Sequence, residues 1–503
     1  MSRRLLVRIL RPKALLSVLV VLAFICFWGL ALAMLADRLG FLPEPEKELK
    51  TGLIVKESGA YKGYTLVAPM NETTTSLLDM DGKAIHSWDS EYGPGCTAYL
   101  LENGHLLRAG RLPMIEGTKR IFGDGGNGGI VEEFTWDGEL IWSFKYSDME
   151  RLHHHDIEIL PNGNILMLAW ERHTIQEAID AGRHPGRLGS KGLSTCHIIE
   201  VKPLESGGGE IVWEWHAWDH LVQQYDSTKA NYGGIREHPE LINLNPTDTG
   251  EYRSDEEREQ LQALGYIDSG SDSAPIEEET KPTASNSLRM QIFYRDWNHT
   301  NSIDYNPALD QIILSVRSFH EIWIIDHSTT SAEAAGHTGG RYGKGGDLLY
   351  RWGNPEVYNA GTIEDRQLFD QHDANWIEPG LPGEGNILIF NNGNKRPTGQ
   401  YSTVIEIVPP LEPDGSYALD ADSVFGPVKP VWMYPDPIEE DFYSGFASGA
   451  QRLPNGNTLI CSATEGLLLE VTADKEIVWK YISPFVPVFR VHRYGMDYLP
   501  TDD

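Results

Sequence analysis

The chain has 503 residues, 41% of them apolar, which supports a large buried core and argues against wholesale disorder. A formal charge of −31 excludes a surface built to hold nucleic-acid phosphates and fits a self-repelling exterior suited to a salty medium. The four cysteines, Cys26, Cys96, Cys196 and Cys461, show no CxxC or Cys/His zinc spacing, so structural zinc is not expected, and one disulfide in an oxidising compartment is allowed without being specified.

The N-terminus reads as a membrane anchor. Residues 1–13 form a basic tail with Arg3, Arg4, Arg8, Arg11 and Lys13, and an uncharged run follows from Ala14 to Ala36. As a helix, that run is long enough to cross a bilayer. A basic flank stays on the cytoplasmic side, so everything after Asp37 is expected outside. This places the body of the chain in the periplasm or at the cell exterior, held to the inner membrane. The alternative is a cleaved signal peptide, for which Ala31-Leu32-Ala33 supplies a small-residue site. Residues 37–62 read as a linker.

From there one phrase recurs, a short apolar strand, a turn and a second apolar strand. It reads CTAYLLENGHLLRAG from Cys96, HDIEILPNGNILMLAW from His155 and SGAQRLPNGNTLICSA from Ser448. Looser copies are HTNSIDYNPALDQIILSVR from His299 and HDANWIEPGLPGEGNILIF from His372. Asn-Gly between alternating apolar runs signals a tight hairpin. Each copy is followed by a second hairpin whose last strand carries aromatic rings two residues apart: His86/Trp88, Trp142/Phe144, Trp213/Trp215, Tyr350/Trp352, Trp432/Tyr434 and Trp479/Tyr481. Residues at i and i+2 share one face of a strand, where large rings fill the space between neighbouring sheets. Four strands repeated six times predict an all-β, six-bladed β-propeller over residues 63–498, before a short tail at 499–503. The strand starting at Gly63 lacks an inner partner, and PVFRVHRYGMDY at the far end is expected to supply it. The repeat is interrupted at 216–290, which reads as a surface insertion with a short helix at Asp255 to Leu264 and an acidic, Ser-rich piece at Asp268 to Glu279.

Aligning the repeats on the turn glycine stacks Cys96, His155, His299, His372 and Ser448 in one column, and the closing strand brings His492 and Arg493 to a similar place. Inner strands border the channel of a propeller, so these side chains converge if the alignment holds. The competing reading makes His155-Asp156 and His372-Asp373 structural pairs that bond between strands. Arg317 ends the strand QIILSVR, and a buried arginine needs an anion or a carboxylate.

The motifs HHDIEILPNGNILM, WNHTNSIDYNPALDQIILSVRS and FDQHDANWIEPG…GNILIFNNGN resemble those of the bacterial, nucleotide-independent aryl-sulfate sulfotransferases, across roughly Gly63 to Tyr498. The resemblance implies a six-bladed propeller that moves a sulfuryl group from an aryl sulfate donor to a phenol acceptor by a ping-pong route, with no cofactor and no metal. It implies His372 as the nucleophile that becomes sulfated, with His155, His299 and Arg317 binding the sulfuryl oxygens and serving the phenolic proton. His154 stands as an alternative to His155, Asp373 as a group that orients His372, and Trp170 and Trp297 as aryl-binding rings. His320 reads as a loop residue, and His220 as a further histidine near the motifs. The natural donor, the acceptor and the oligomeric state are not readable. Two rival readings are a non-catalytic ligand-binding propeller on the cell surface and a metal-dependent lyase or hydrolase using the channel histidines.

Overall fold

Six four-stranded antiparallel sheets are present in the computed structural model, which describes residues 50–113, 122, 125–188, 192–246, 294–420, 423–438 and 441–499. The apolar run at 14–36 and the insertion's pieces at 255–264 and 268–279 lie outside these residues. Among the described residues no helix is long and apolar enough to cross a membrane.

Blades 2 to 6 each begin with one of the recurring hairpins. Blade 2 is Gly93–Leu100, Leu106–Arg111, Gly129–Phe134 and Leu140–Lys145. Blade 3 is Arg151–Ile159, Ile165–His173, Gly192–Pro203 and Gly209–His216, with Tyr294–Asp296 added in parallel beside its third strand. Blade 4 runs Thr300–Asn306, Gln311–Val316, Glu321–Asp326 and Tyr350–Trp352. Blade 5 runs His372–Trp376, Ile387–Asn391, Thr403–Ile407 and Trp432–Tyr434. Blade 6 runs Gly449–Arg452, Thr458–Ser462, Leu467–Val471 and Ile477–Ile482.

Blade 1 closes the ring as expected. Its inner strand is the C-terminal Val488–Gly495, paired with Gly63–Pro69 and followed outward by Thr74–Leu78 and Ala84–Asp89. The ring is also closed at the outside. Gly52–Lys56, within the stretch read as a linker, pairs with Ile477–Ile482 as a fifth strand of blade 6. It has too few residues to announce itself as a repeat copy, and its partner lies at the other end of the chain.

The aromatic pairs all sit on fourth strands, and their tryptophans join the blades in sequence. The indole N–H of Trp88 donates to the Thr135 carbonyl, Trp142 to that of Gly208, and Trp213 to the Thr329 hydroxyl. Trp352 donates to the Pro427 carbonyl, Trp432 to that of Ala473, and Trp479 to that of Met80. Each acceptor lies between the third and fourth strands of the next blade, so the six bonds run once around the ring. At about 1 kcal/mol net apiece they add modestly to the burial of the rings themselves.

Inner strands are stitched by side chains that reach across to the next blade. Asp156 accepts the Ile303 N–H at 3.1 Å, Asp304 that of Trp376 at 2.7 Å, and Asp373 that of Ala450 at 2.8 Å. Ser302 accepts the Ala374 N–H at 3.0 Å. The aspartates after His155 and His372 are therefore structural, as the competing reading required, while the histidines before them are left for other work.

Candidate active site

The innermost strands of blades 2 to 5 share a defect. Their pairing shifts between Pro94 and Ala98, at Met167/Ala169 opposite His153 to Ile157, between Thr300 and Ser302, and between His372 and Asn375. Beside these bulges the backbone turns left-handed at Cys96, His155, His299 and Asp373, and in blade 6 at Ala447 and Ser448. Non-glycine residues avoid that region, and bulges there re-aim side chains that strict alternation would send between sheets. The column read from the repeat is this ring of bulges. In blade 5 the left-handed residue is Asp373, one place later than the alignment on His372 implied.

His372 is buried, and its proton is placed by its partners. Nδ1 lies 2.8 Å from Oδ1 of Asn392 and 3.1 Å from the Asp370 carbonyl, both of which can only accept. Nδ1 therefore carries the hydrogen and Nε2 the lone pair. The backbone N–H of Ala447 donates to that Nε2 at 3.1 Å. Burial, then the Arg317 charge, push the imidazole down to about 3, so it is neutral near pH 7.

Two more histidines lie close by, with Phe489 between His372 and His155. The rings of His155 and His299 are 4.8 Å apart, and Phe489 of the closing strand lies 6.1 Å from His155 and 6.2 Å from His372. His299 is oriented by Asp296, whose Oδ2 takes Nδ1–H at 2.5 Å and whose Oδ1 takes the His299 backbone N–H at 3.2 Å. Behind His155, His154 stacks on Trp170 at 4.1 Å and shares an Nδ1 to Nδ1 hydrogen bond of 2.8 Å with His155. His155, rather than His154, faces His299. A Cβ on Gly126 would collide with the His155 ring, so only glycine lets that backbone pass across the imidazole.

The cation is Arg317, buried beside an anchored carboxylate. Its Nη2 donates to Asp370 Oδ2 at 2.5 Å, and its backbone N–H donates to the His299 carbonyl at 3.1 Å. Burial raises the Asp370 carboxyl, but Arg317, His320 and the Asn394 amide outweigh it and hold the group at about 2. His320 is part of this support rather than a bystander loop residue, because its Nδ1 accepts the Asp370 N–H at 3.0 Å.

Several expected site residues stand elsewhere. Asp373 does not orient His372, since its carboxylate bonds to Ala450 and pairs with Arg490 at 3.0 Å. Arg490 also reaches Asp156 at 2.8 Å, so it ties blades 3 and 5 together from the closing strand. Arg493 turns the other way, into a buried pair with Glu470 of blade 6 and over the Trp479 ring at 4.3 Å. His492 packs on Tyr99 at 5.0 Å, and burial followed by the Arg490 charge pushes it down to about 3. Trp297 is fully buried in the core cluster spanning blades 3 and 4, edge-on to Phe319 at 5.3 Å, and is not placed to meet an aryl substrate. Trp170 is likewise buried and supports the site by stacking on His154 and donating to Asp296 at 3.2 Å. Cys96, Cys196 and Cys461 are buried free thiols. Burial pushes Cys96 and Cys196 up to about 12, which makes them unreactive packing groups.

Asp296, Asp370, Asn392, Phe489 and Arg490 were not singled out in the sequence. Asp370 and Asn392 stand inside the quoted FDQHD and FNNGN motifs, which was the available signal. Among the described residues the clusters able to hold a metal ion are Glu171/His197/His216 and His220/His337/Asp347, neither of which includes His155, His299 or His372.

A neutral imidazole, a fixed cation and an aspartate-backed histidine lie near one another in a six-bladed propeller, an arrangement suited to group transfer. Residues 132–483 match the family described as Arylsulfotransferase (ASST), and the chain belongs to that family. It is similar to the arylsulfate sulfotransferase AssT of Escherichia coli O6:H1 (strain CFT073), at 30% identity over 179 residues. That match covers 33% of this chain and 27% of the relative, so the chain spans about a quarter of the relative's length. Among solved structures, a protein of unknown function from Bacteroides caccae is similar at 10% identity and a TM-score of 0.43, covering 86% of this chain and 98% of that one. Virginiamycin B lyase from Staphylococcus aureus is similar at 8% identity and a TM-score of 0.34, covering 89% and 86%.

Proposed function

We propose that this protein moves a sulfuryl group from an aryl sulfate to a phenol by a ping-pong route through a sulfated His372. The observation that carries the reading is the tautomer of His372. A buried imidazole with its proton held on Nδ1 by Asn392 offers an unprotonated Nε2 beside the charge of Arg317.

In the first half-reaction Nε2 attacks sulfur, the bond from sulfur to the phenolic oxygen breaks, and His299 returns a proton to the leaving phenolate. In the second, His299 takes the proton of the acceptor phenol, whose oxygen attacks the sulfur and releases His372. A covalent intermediate divides one difficult displacement into two easier ones. By analogy with phosphoryl transfer, the moving group is loosely bonded at the transition state, with charge on its outer oxygens and on the phenolate. Arg317 is a fixed cation whose fork suits paired oxygens, and its pre-placed charge stabilises the transition state more than the ground state. The Ala447 N–H must give up Nε2 as the bond to sulfur forms, and it is then free to donate to a sulfuryl oxygen. His299 suits the acid and base role because Asp296 orients its ring and stabilises the imidazolium. We also propose that Ala14 to Ala36 anchors the chain in the inner membrane, with the propeller outside, on the strength of the uncharged run and its basic flank.

The test is peptide mass spectrometry of the full chain after brief exposure to an aryl sulfate under non-acidic conditions. A sulfuryl adduct is expected on His372, absent in His372→Asn and discharged by added phenol. Absence of both adduct and donor turnover would overturn the transferase reading and favour a propeller that only binds.

A further inference from the structure

A second cluster of imidazoles lies away from the channel, at the outer edge where blades 3 and 4 meet. The chain leaves blade 3 at His216 and turns at once into the short helix Ala217–His220, which is also where the insertion begins. His220 is fully buried there, against the loop between the third and fourth strands of blade 4. Its Nε2 lies 2.9 Å from the Ala334 carbonyl and its Nδ1 2.8 Å from Asp347 Oδ1. His337 brings its own Nδ1 to the same Asp347 oxygen, also at 2.8 Å. One ligand atom from each of the three lies within 4.8 Å of the others.

The proton inventory of His220 is the informative part. A carbonyl only accepts, so Nε2 must carry the ring hydrogen. In the neutral ring Nδ1 is then a lone pair aimed at a carboxylate oxygen, which is repulsive. A cation between them converts that repulsion into two bonds. The surroundings hold the ring in this pose, as outer partners hold metal-bound histidines. The Trp215 ring stacks over His220 at 5.6 Å with planes 6° apart, and its Nε1 donates to the Gly346 carbonyl at 2.7 Å. A Cβ on Gly346 would strike the His220 ring, so the loop closes over the imidazole only because glycine stands there.

We propose that His220, His337 and Asp347 bind one divalent transition-metal ion of the zinc class. Two imidazole nitrogens and a carboxylate are a donor set for such ions and a poor one for calcium or magnesium, which take oxygens. Ligand bonds of about 2 Å in tetrahedral geometry place donor atoms about 3.3 Å apart. The site therefore opens by about half an ångström, which His337, with 60% of its side chain exposed, accommodates readily. Water completes the coordination. The ion clamps the exit of blade 3, the root of the insertion, to the outer loop of blade 4. The ligands come from positions with no recognisable zinc spacing, so the cysteine and histidine pattern could not announce the site. The clamp does not depend on the transferase reading.

The full chain, stripped with a chelator, is titrated with cobalt chloride and zinc chloride, following cobalt absorbance and the metal content after desalting. One equivalent is expected, with affinity at least roughly tenfold weaker in His337→Ala and Asp347→Asn and unchanged in His372→Asn. His337 is exposed, so its replacement leaves the fold intact, and melting curves check this. Failure of the wild type to take up either metal would overturn the proposal and leave the His220–Asp347 contact a hydrogen bond alone. Uptake unaffected by His337→Ala, or lost instead in His372→Asn, would overturn it as well.

Discussion

Asp296→Asn is the sharpest single probe of the mechanism, because it changes a proton position and almost no volume. Asp296 Oδ1 accepts two N–H groups, from the His299 backbone and the Trp170 indole, each at 3.2 Å. An asparagine must keep its oxygen on that side to satisfy both donors. Its NH2 then faces Nδ1 of His299, where Oδ2 had accepted at 2.5 Å. The ring hydrogen is driven to Nε2, and the imidazole loses the lone pair that takes the acceptor's proton. The imidazolium that would protonate the leaving phenolate also loses its counter-charge. General acid and base catalysis contributes about 10²–10⁴-fold, and a wrong tautomer in a comparable histidine pair costs toward the upper end. The expected loss is therefore on the order of 10²–10⁴ in kcat/KM, or about 3–5 kcal/mol of barrier. The assay is the donor half-reaction with a series of aryl sulfates of rising phenol pKa. Good leaving groups such as nitrophenolate need little help, so the loss is expected to be small for them and to grow along the series. A loss that is equal across the series, or below tenfold throughout, would refute the assignment of His299 as the proton carrier.

Arg490→Met strips the shared cation from Asp156 and Asp373, two buried carboxylates on different blades. Removing one partner of a buried pair costs about 3–5 kcal/mol, which for a chain of this length lowers Tm by roughly 3–5 °C at ~2 cal/mol/K per residue of unfolding entropy. A melting curve unchanged from wild type would show that Arg490 is not the link between the blades. The buried histidines also predict acid sensitivity. Burial, the largest cause in each case, pushes His153 down to about 4 and His197, His372 and His492 down to about 3, from an ordinary value of 6.5. With folded values below the unfolded one, the unfolded chain takes up protons first. Their contribution is therefore intact above about pH 6.5 and is lost as pH falls toward 3–4, at about 1.4 kcal/mol per pH unit for each group. Melting temperature is expected to drop steadily from pH 7 to 5, and a flat profile would count against neutral burial of these rings.

The architecture was legible because a propeller writes its repeat into local sequence. Asn-Gly turns mark the first hairpin of blades 2, 3 and 6, and an aromatic pair marks the fourth strand of each blade, since each four-stranded unit has to cover the face of its neighbour. The unpaired strand at Gly63 even foretold the closing strand at Val488–Gly495. His155, His299, Arg317 and His372 stood out in the sequence as rare polar residues at the start or end of otherwise apolar strands. What the linear pattern could not carry was direction. Bulges break the two-residue alternation where the inner strands begin, so Asp373 turns away from His372 and toward Arg490, and Arg493 turns out of the channel while Arg490 enters it. Trp297 reads like a channel ring and is core, because whether an aromatic meets substrate or packing depends on which blades enclose it. The partners that set protons, Asn392 for His372, Asp296 for His299 and the Ala334 carbonyl for His220, are chosen by distance in space. Local periodicity determined which strands form and which blade each belongs to, and only the closed ring decided which side chains face one another, because contacts between blades are made by residues far apart in the chain.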